Sequence, residues 1–121
     1  MKRIVIKKNS QIITDNAHCA DNFFTRFKGL MFVKGIDDNY ALHITPCNQI
    51  HMLNMRFALD VIYLDKDNRI VTVDENVQPG RICKTVKQSK SVIEMKAGAA
   101  EKFGIRQGDS LEIISIARGH E

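Results

Sequence analysis

Short runs of β-branched and apolar residues, separated by clusters of turn-forming residues, recur along almost the whole chain. The clearest pair is 57–64 and 69–73, which flank Asp65-Lys66-Asp67-Asn68 and predict a hairpin. A second hairpin is predicted from the runs 3–7 and 11–14. Because runs spaced this closely leave no room for repeated helical crossovers, the strands should pair mostly in antiparallel fashion.

The remaining strands are predicted from shorter runs of the same kind. They are 40–44, 50–53, 91–96 and 111–117. From these eight runs, some of them very short, we expect about seven strands in a small antiparallel barrel or sandwich. The predicted fold class is therefore mainly β.

Two segments depart from the strand pattern and predict helices. Over 21–31 the apolar residues recur at helical spacing, with Asp21 as the N-cap and Arg26 at the edge of the apolar stripe. The stripe consists of Phe23, Phe24, Phe27, Leu30 and Met31. A single helical turn is predicted over 99–103, because Gly104 follows it. The longer helix should cover one face or opening of the strands.

Length and composition predict one globular domain spanning 1–121. Of the 121 residues, 44% are hydrophobic and 26% are charged, a balance typical of a packed core rather than of disorder or a membrane span. Only Ile4-Val5-Ile6 is apolar near the start, whereas a secretory signal needs about 7 to 15 such residues. Three widely spaced cysteines predict neither a disulfide framework nor a metal pair. We therefore expect a cytoplasmic protein without membrane contact.

The net charge of +4 comes from lysines and arginines that are spread along the chain. Its looser clusters, at 2–8 and 84–90, contain no interleaved aromatic residues that could stack on bases. A nucleic-acid surface is therefore not expected, and solvated strand faces and turns are the simpler interpretation. The pattern assigns no oligomeric state.

Asp60 is the most unusual polar residue, because it lies in a run that is apolar on both faces. Side chains of a strand alternate, so Asp60 shares a face with Ile62 while Leu59 and Val61 take the other face. A carboxylate there is either desolvated or set at a cavity mouth, and it needs a cation or several donors to stay ionised. The alternative is a structural role, with a turn or one of the arginines as its partner. Glu94 is expected to be exposed.

Cys47, His51, Met52 and Met55 carry the donor types that suit a soft metal. In an extended chain Cys47 and His51 would lie roughly 13 Å apart, too far to share an ion without a turn. We therefore predict no metal and no cofactor. Cys47 with His51 is also the one local candidate for nucleophilic chemistry, its alternative being an inert buried thiol. The chain contains no G-x-S-x-G, P-loop, G-x-G-x-x-G or H-E-x-x-H motif.

Several short motifs, taken together, match a known family over about 25–114. They are Arg26-Phe27-Lys28-Gly29-Leu30-Met31, Ile50-His51-Met52 with Asn54 and Met55, Leu59-Asp60 with Leu64-Asp65, Pro79 with Arg81, Glu94 with Gly98, and Gly108-Asp109. On these residues the chain resembles the uncharacterised prokaryotic family known as domain of unknown function 192. The resemblance implies a compact β-rich domain and no established activity, substrate or cofactor. Ala58 and Gly80 depart from the family, which commonly has proline and an aromatic residue there, so no ligand preference is carried over.

The leading functional hypothesis is a domain that binds a small molecule in a polar pocket around Asp60. The residues that fit both the family pattern and this chemistry are Arg26, His51, Asn54, Asp60 and Arg81. One alternative is a hydrolase or lyase in which His51 is the general base and Asp60 orients it. The other is a nucleic-acid or protein adaptor that uses the basic surface. The sequence does not decide whether catalysis occurs.

Overall fold

The computed structural model describes residues 1–116, which form seven strands and two short helices. In chain order they are β1 (Lys2–Lys8), β2 (Gln11–Ala20), α1 (Phe23–Lys28), β3 (Ala41–Ile44), β4 (Leu59–Leu64), β5 (Ile70–Val77), β6 (Ser91–Lys96), α2 (Ala99–Lys102) and β7 (Glu112–Ser115). The predicted mainly β fold is confirmed.

All seven strands belong to one sheet in the order β5-β4-β6-β3-β2-β1-β7. Every neighbouring pair is antiparallel except β2 and β3, which run parallel because the segment containing α1 carries the chain back to the same end of the sheet. The edge strands β5 and β7 do not pair with each other. Instead, the amide of Ile70 donates to Asp109 and the amide of Leu111 donates to Asn68. The sheet is therefore not closed into the predicted barrel.

Both faces of the sheet are buried, which explains why β4 is apolar on both sides. One face, called here the α2 side, packs Ile62 and Ile93 against Ala99 and Ala100. The opposite face, called here the loop side, packs residues such as Val61 under the segments 30–31 and 50–55. Because side chains alternate along a strand, Asp60 belongs to the α2 side and Glu94 to the loop side.

The two predicted hairpins form as β1-β2 and β4-β5. The predicted strands at 40–44 and 91–96 form as β3 and β6, and the closing strand forms as β7, although Ala117 lies outside the described residues. The predicted strand at 50–53 does not form, because the chain turns at Asn54, whose φ is +60°. Only a single bridge, between His51 and Ile82, remains there.

The helix predicted over 21–31 is shorter and less buried than expected. Asn22 caps α1 in place of Asp21, with its side chain accepting a hydrogen bond from the amide of Thr25. The helix ends at Gly29, and none of its residues is buried. Of the predicted apolar stripe, Leu30 and Met31 are buried, whereas the three phenylalanines of α1 are exposed. The predicted single turn at 99–103 is confirmed as α2.

Candidate functional site

A cavity of about 350 Å³ lies on the loop side of the sheet, between α1, β6 and the segment 46–51. Its volume falls within the range of about 300 to 1,000 Å³ that is typical of small-molecule pockets. Most of its wall is apolar and comes from separate parts of the chain. The apolar lining includes Phe27, Leu30, Met31, Ile44, Ile50 and Met55.

Glu94 forms the polar floor of this cavity. Its side chain projects from β6 among the residues of the loop side and is only 4% exposed, so the predicted exposure of Glu94 is wrong. The Oε1 atom has no hydrogen-bond partner within residues 1–116. Burial raises the pKa of this carboxyl to about 7. Near neutral pH the group can therefore either donate or accept a proton.

Gly29 leaves space beside the carboxyl group of Glu94. It follows the last residue of α1 with a φ of +47°, a backbone conformation that glycine adopts without steric cost. A Cβ atom at this position would lie 3.3 Å from Oε1 of Glu94. Glycine is therefore favoured here both by the backbone and by the space above the carboxyl.

Arg26 lines the same cavity from α1. Its Nη1 atom donates to the carbonyl of Pro46 at 3.1 Å, which holds the guanidinium against the segment 46–51. The Nε atom is buried and has no partner in the described part of the chain. Two residues that line the cavity, Arg26 and Glu94, thus each have a buried polar atom without a hydrogen-bond partner among the described residues.

His51 and Cys47 also belong to the polar wall, together with Lys28, Asn48 and Gln49. The His51 ring packs beside Phe27, with 5.7 Å between the ring centroids. Its Nδ1 atom accepts from the amide of Leu53 at 3.3 Å, so a neutral ring carries its proton on Nε2. The Cys47 thiol donates to the carbonyl of Gln49, and burial raises the pKa of this thiol. Cys47 is therefore protonated at neutral pH and is a weak nucleophile.

The chemistry available in the cavity is recognition by hydrogen bonds and apolar contact. An unpaired buried acceptor or donor costs free energy that a ligand with the matching group recovers. Within residues 1–116 no group of three or more His, Cys, Asp or Glu side chains is arranged to hold a metal ion.

Asp60 lies on the other side of the sheet and does not contribute to this cavity. Its carboxylate is completely buried and accepts three hydrogen bonds from backbone amides. The donors are Asn76 at 2.9 Å, Gly98 at 3.0 Å and Ala100 at 2.9 Å. No ion pair with an arginine is formed among the described residues. Asp60 therefore fixes β5 and α2 to β4, which is the structural role considered for it from the sequence.

Of the five predicted site residues, the structure brings together Arg26 and His51. Asn54 is exposed in the turn after His51 and does not line the cavity. Arg81 is exposed beside a separate groove formed with β5. Glu94 and Gly29 complete the site, and both were already present in the motifs that carry the family resemblance.

The chain has no described helix long and apolar enough to cross a bilayer. Comparison with known proteins places it among uncharacterised relatives. Residues 4–113 match the model of the family described as "Uncharacterized ACR", which is domain of unknown function 192. A UPF0127 protein of Thermococcus sibiricus is 30% identical over 90% of this chain and 73% of its own length. A UPF0127 protein of Pyrococcus furiosus is 34% identical over 77% of this chain and 82% of its own length.

Two crystal structures share the fold. A protein of unknown function from Novosphingobium aromaticivorans superposes with a TM-score of 0.78 at 23% identity, covering 91% of this chain and 83% of that one. A Sinorhizobium meliloti protein, provisionally described as a transcription regulator, gives a TM-score of 0.77 at 23% identity, covering 92% of each chain. Since both identities are low, these structures support the architecture alone.

Proposed function

This chain belongs to the family of domain of unknown function 192, and from its cavity we propose that it is a small-molecule-binding protein. The ligand enters between α1 and the segment 46–51 and reaches Glu94. The observation that carries this proposal is the unpaired Oε1 atom of Glu94 at the floor of a cavity of about 350 Å³. A carboxyl buried for packing alone would be expected to have its hydrogen bonds satisfied by the protein, as Asp60 does.

The two unpaired polar atoms define the class of ligand. A hydroxyl or amine on the ligand donates to Oε1 of Glu94, and an acceptor such as a carboxylate or carbonyl oxygen meets Nε of Arg26. Between these groups the ligand has an apolar body that packs on Leu30, Ile44 and Ile50. The proposed ligand is thus a small organic molecule with one donor end and one acceptor end.

Binding is tested by thermal-shift screening of a metabolite library, followed by calorimetric titration of each compound that stabilises the protein. A ligand present at 100 times its dissociation constant stabilises the fold by about 2.7 kcal/mol, which is readily detected. Compounds with the proposed donor and acceptor should be enriched among those that bind.

Two variants test whether a ligand found in the screen binds in the cavity. Glu94→Leu removes the polar floor and should abolish binding, while Glu101→Gln changes an exposed carboxylate on α2 and should leave binding unchanged. A broad library with no stabilising compound, or a ligand that binds Glu94→Leu as tightly as the wild type, would contradict the proposal.

The hydrolase or lyase alternative required His51 and Asp60 within hydrogen-bond reach of each other. The carboxylate of Asp60 is occupied by backbone amides on the α2 side, whereas His51 lines the cavity of the loop side. The geometry therefore gives no support to catalysis by this pair.

A further inference from the structure

We propose that the surface around α1 docks onto an anionic lipid membrane. The docking surface consists of the exposed apolar side chains of α1 and its flanking turns, with the cations that surround them. It covers three segments, 22–36, 48–58 and 79–90. The docking surface overlaps the rim of the ligand cavity, since Phe23, Phe27 and Lys28 belong to both, but the proposal does not rest on ligand binding.

The apolar part of the docking surface is unusually exposed. Phe23 is 77% exposed, Phe24 72%, and Phe27 and Phe32 60% each. Leu53 and Ile82 add two exposed aliphatic side chains. Phenylalanine at this exposure is costly in water, and clusters of such residues mark interaction sites.

Contacts link most of these apolar residues to one another, and Phe24 follows Phe23 in α1. Phe23 stacks on Phe27, and Phe27 packs beside His51, which bridges to Ile82 in the neighbouring segment. On the other side, the amide of Phe32 donates to the carbonyl of Asn54 at 3.0 Å, which places Phe32 next to the turn that carries Leu53.

The charge of the three segments is entirely positive. All 14 Asp and Glu residues of the chain lie outside 22–36, 48–58 and 79–90. The cations within them are Arg26, Lys28, Lys34, Arg56, Arg81, Lys84, Lys87 and Lys90. Apart from Arg26, whose guanidinium is tied to Pro46, these side chains are exposed. Asp74 and Glu75 line the groove beside Ile82, and Asp21 precedes α1, but the cations outnumber these three acids. An apolar centre with a mainly cationic margin is complementary to a bilayer that contains anionic headgroups.

Two features favour a lipid membrane over nucleic acid or a second copy of the chain as the partner of this surface. Leu53 and Ile82 cannot stack on nucleobases but insert readily among acyl chains, so the surface suits a membrane better than a single-stranded nucleic acid. A second copy of the chain would present the same cations and would repel this surface. The sequence prediction of no membrane contact considered only hydrophobic spans and did not consider exposed apolar residues at turns.

The test is cosedimentation of the full chain with vesicles of phosphatidylcholine and phosphatidylglycerol in equal amounts, and with vesicles of phosphatidylcholine alone. We expect binding to the anionic vesicles that weakens with added salt. Phe24→Ser combined with Phe32→Ser should reduce the partition coefficient by about tenfold for each phenylalanine removed. Neither of these residues lines the ligand cavity.

Lys28→Gln combined with Lys34→Gln should reduce binding to anionic vesicles by about fivefold for each lysine. The matched control is Ile12→Ser, because Ile12 is also 60% exposed but lies at the start of β2, outside the docking surface. This control should bind as the wild type does.

Three outcomes would overturn the proposal. The first is absence of binding to anionic vesicles, or binding that the phenylalanine variant leaves unchanged. The second is binding of a single-stranded oligonucleotide, lost in that variant, without vesicle binding, which would assign the surface to nucleic acid. The third is a dimer that dissociates in the same variant, again without vesicle binding. None of these outcomes depends on whether the cavity binds a ligand.

Discussion

Gly29 lies directly beside the buried carboxyl of Glu94, because a Cβ atom added at Gly29 would lie 3.3 Å from Oε1. The two residues are distant in sequence and come together only when the turn after α1 closes over β6. Because position 29 carries no side chain, it leaves space beside Oε1.

The first prediction is that Gly29→Ala destabilises the protein and reduces the cavity. The variant places a side chain at a φ of +47° and against Oε1, at a cost of about 1 to 3 kcal/mol. Urea denaturation measures this loss. The control is Gly35→Ala, since Gly35 has neither a positive φ nor any atom within 4 Å of an added Cβ. Equal stability of the two variants would contradict the prediction.

The second prediction concerns the pH dependence that arises from Glu94. Burial raises the pKa of Glu94 from 4.5 to about 7 in the folded protein, so the folded state holds the proton more tightly than the unfolded state. The stabilisation from this group is complete below about pH 4.5, declines as the pH rises and is lost above about pH 7. The decline amounts to about 3 kcal/mol. Glu94→Gln should remove it, as measured by denaturation between these pH values.

The third prediction concerns His43, which lies in β3 with both ring nitrogens buried and without partners in the described residues. Burial lowers the pKa of His43 from 6.5 to about 4. The stabilisation from neutral His43 is therefore complete above pH 6.5 and is lost as the pH falls towards 4. His43→Leu should abolish this loss of about 3 kcal/mol.

Glu94 and His43 act in opposite directions, and their pH ranges overlap. In the wild type the two effects should largely cancel between pH 4.5 and 6.5. In Glu94→Gln only the His43 effect is left, so this variant should lose stability towards acid pH. In His43→Leu only the Glu94 effect is left, so this variant should lose stability towards neutral pH. If the free energy of unfolding changed with pH in the same way in the wild type and in both variants, the roles given to Glu94 and His43 would be refuted.

The fourth prediction is that Asp60→Asn destabilises the fold by about 3 kcal/mol without abolishing ligand binding to the folded protein. An asparagine side chain offers one acceptor oxygen where the carboxylate oxygens now accept from three backbone amides. Asp38→Asn is the control, because Asp38 forms exposed ion pairs with Lys96 and Lys102 that water and salt screen, so its loss of stability should be much smaller. Thermal denaturation compares the two, and equal losses would argue against the structural role of Asp60.

The parts of the fold that were predicted from sequence are those governed by local rules. Turn formers such as Asp65 and Asn68 between β-branched runs fixed the β4-β5 hairpin, and the alternation in β4 indicated burial on both faces. Asp60 was correctly recognised as a carboxyl in apolar surroundings. Its hydrogen-bond partners were not predicted, because the amides of Asn76, Gly98 and Ala100 approach it from other elements.

The candidate site was predicted only in part. Arg26 and His51 were identified, whereas Glu94 was expected to be exposed because Lys96 shares its face of the strand. Lys96 lies at the end of β6 and is exposed, but Glu94 is covered by residues distant in sequence. The helical spacing of Phe23, Phe24 and Phe27 likewise suggested a buried stripe, although α1 projects from the sheet and leaves all three exposed.

The sequence by itself determined most of the strands and turns, though not the chain at 50–53, and which side chains share a strand face, since both depend on residues that are neighbours along the chain. Only the tertiary structure decided which faces are covered and what each buried charge meets. Burial and hydrogen bonding depend on segments such as 46–55 folding back over β6, and strand periodicity carries no information about such contacts. For this reason Asp60 is satisfied by the backbone, while Oε1 of Glu94 has no hydrogen-bond partner among the described residues.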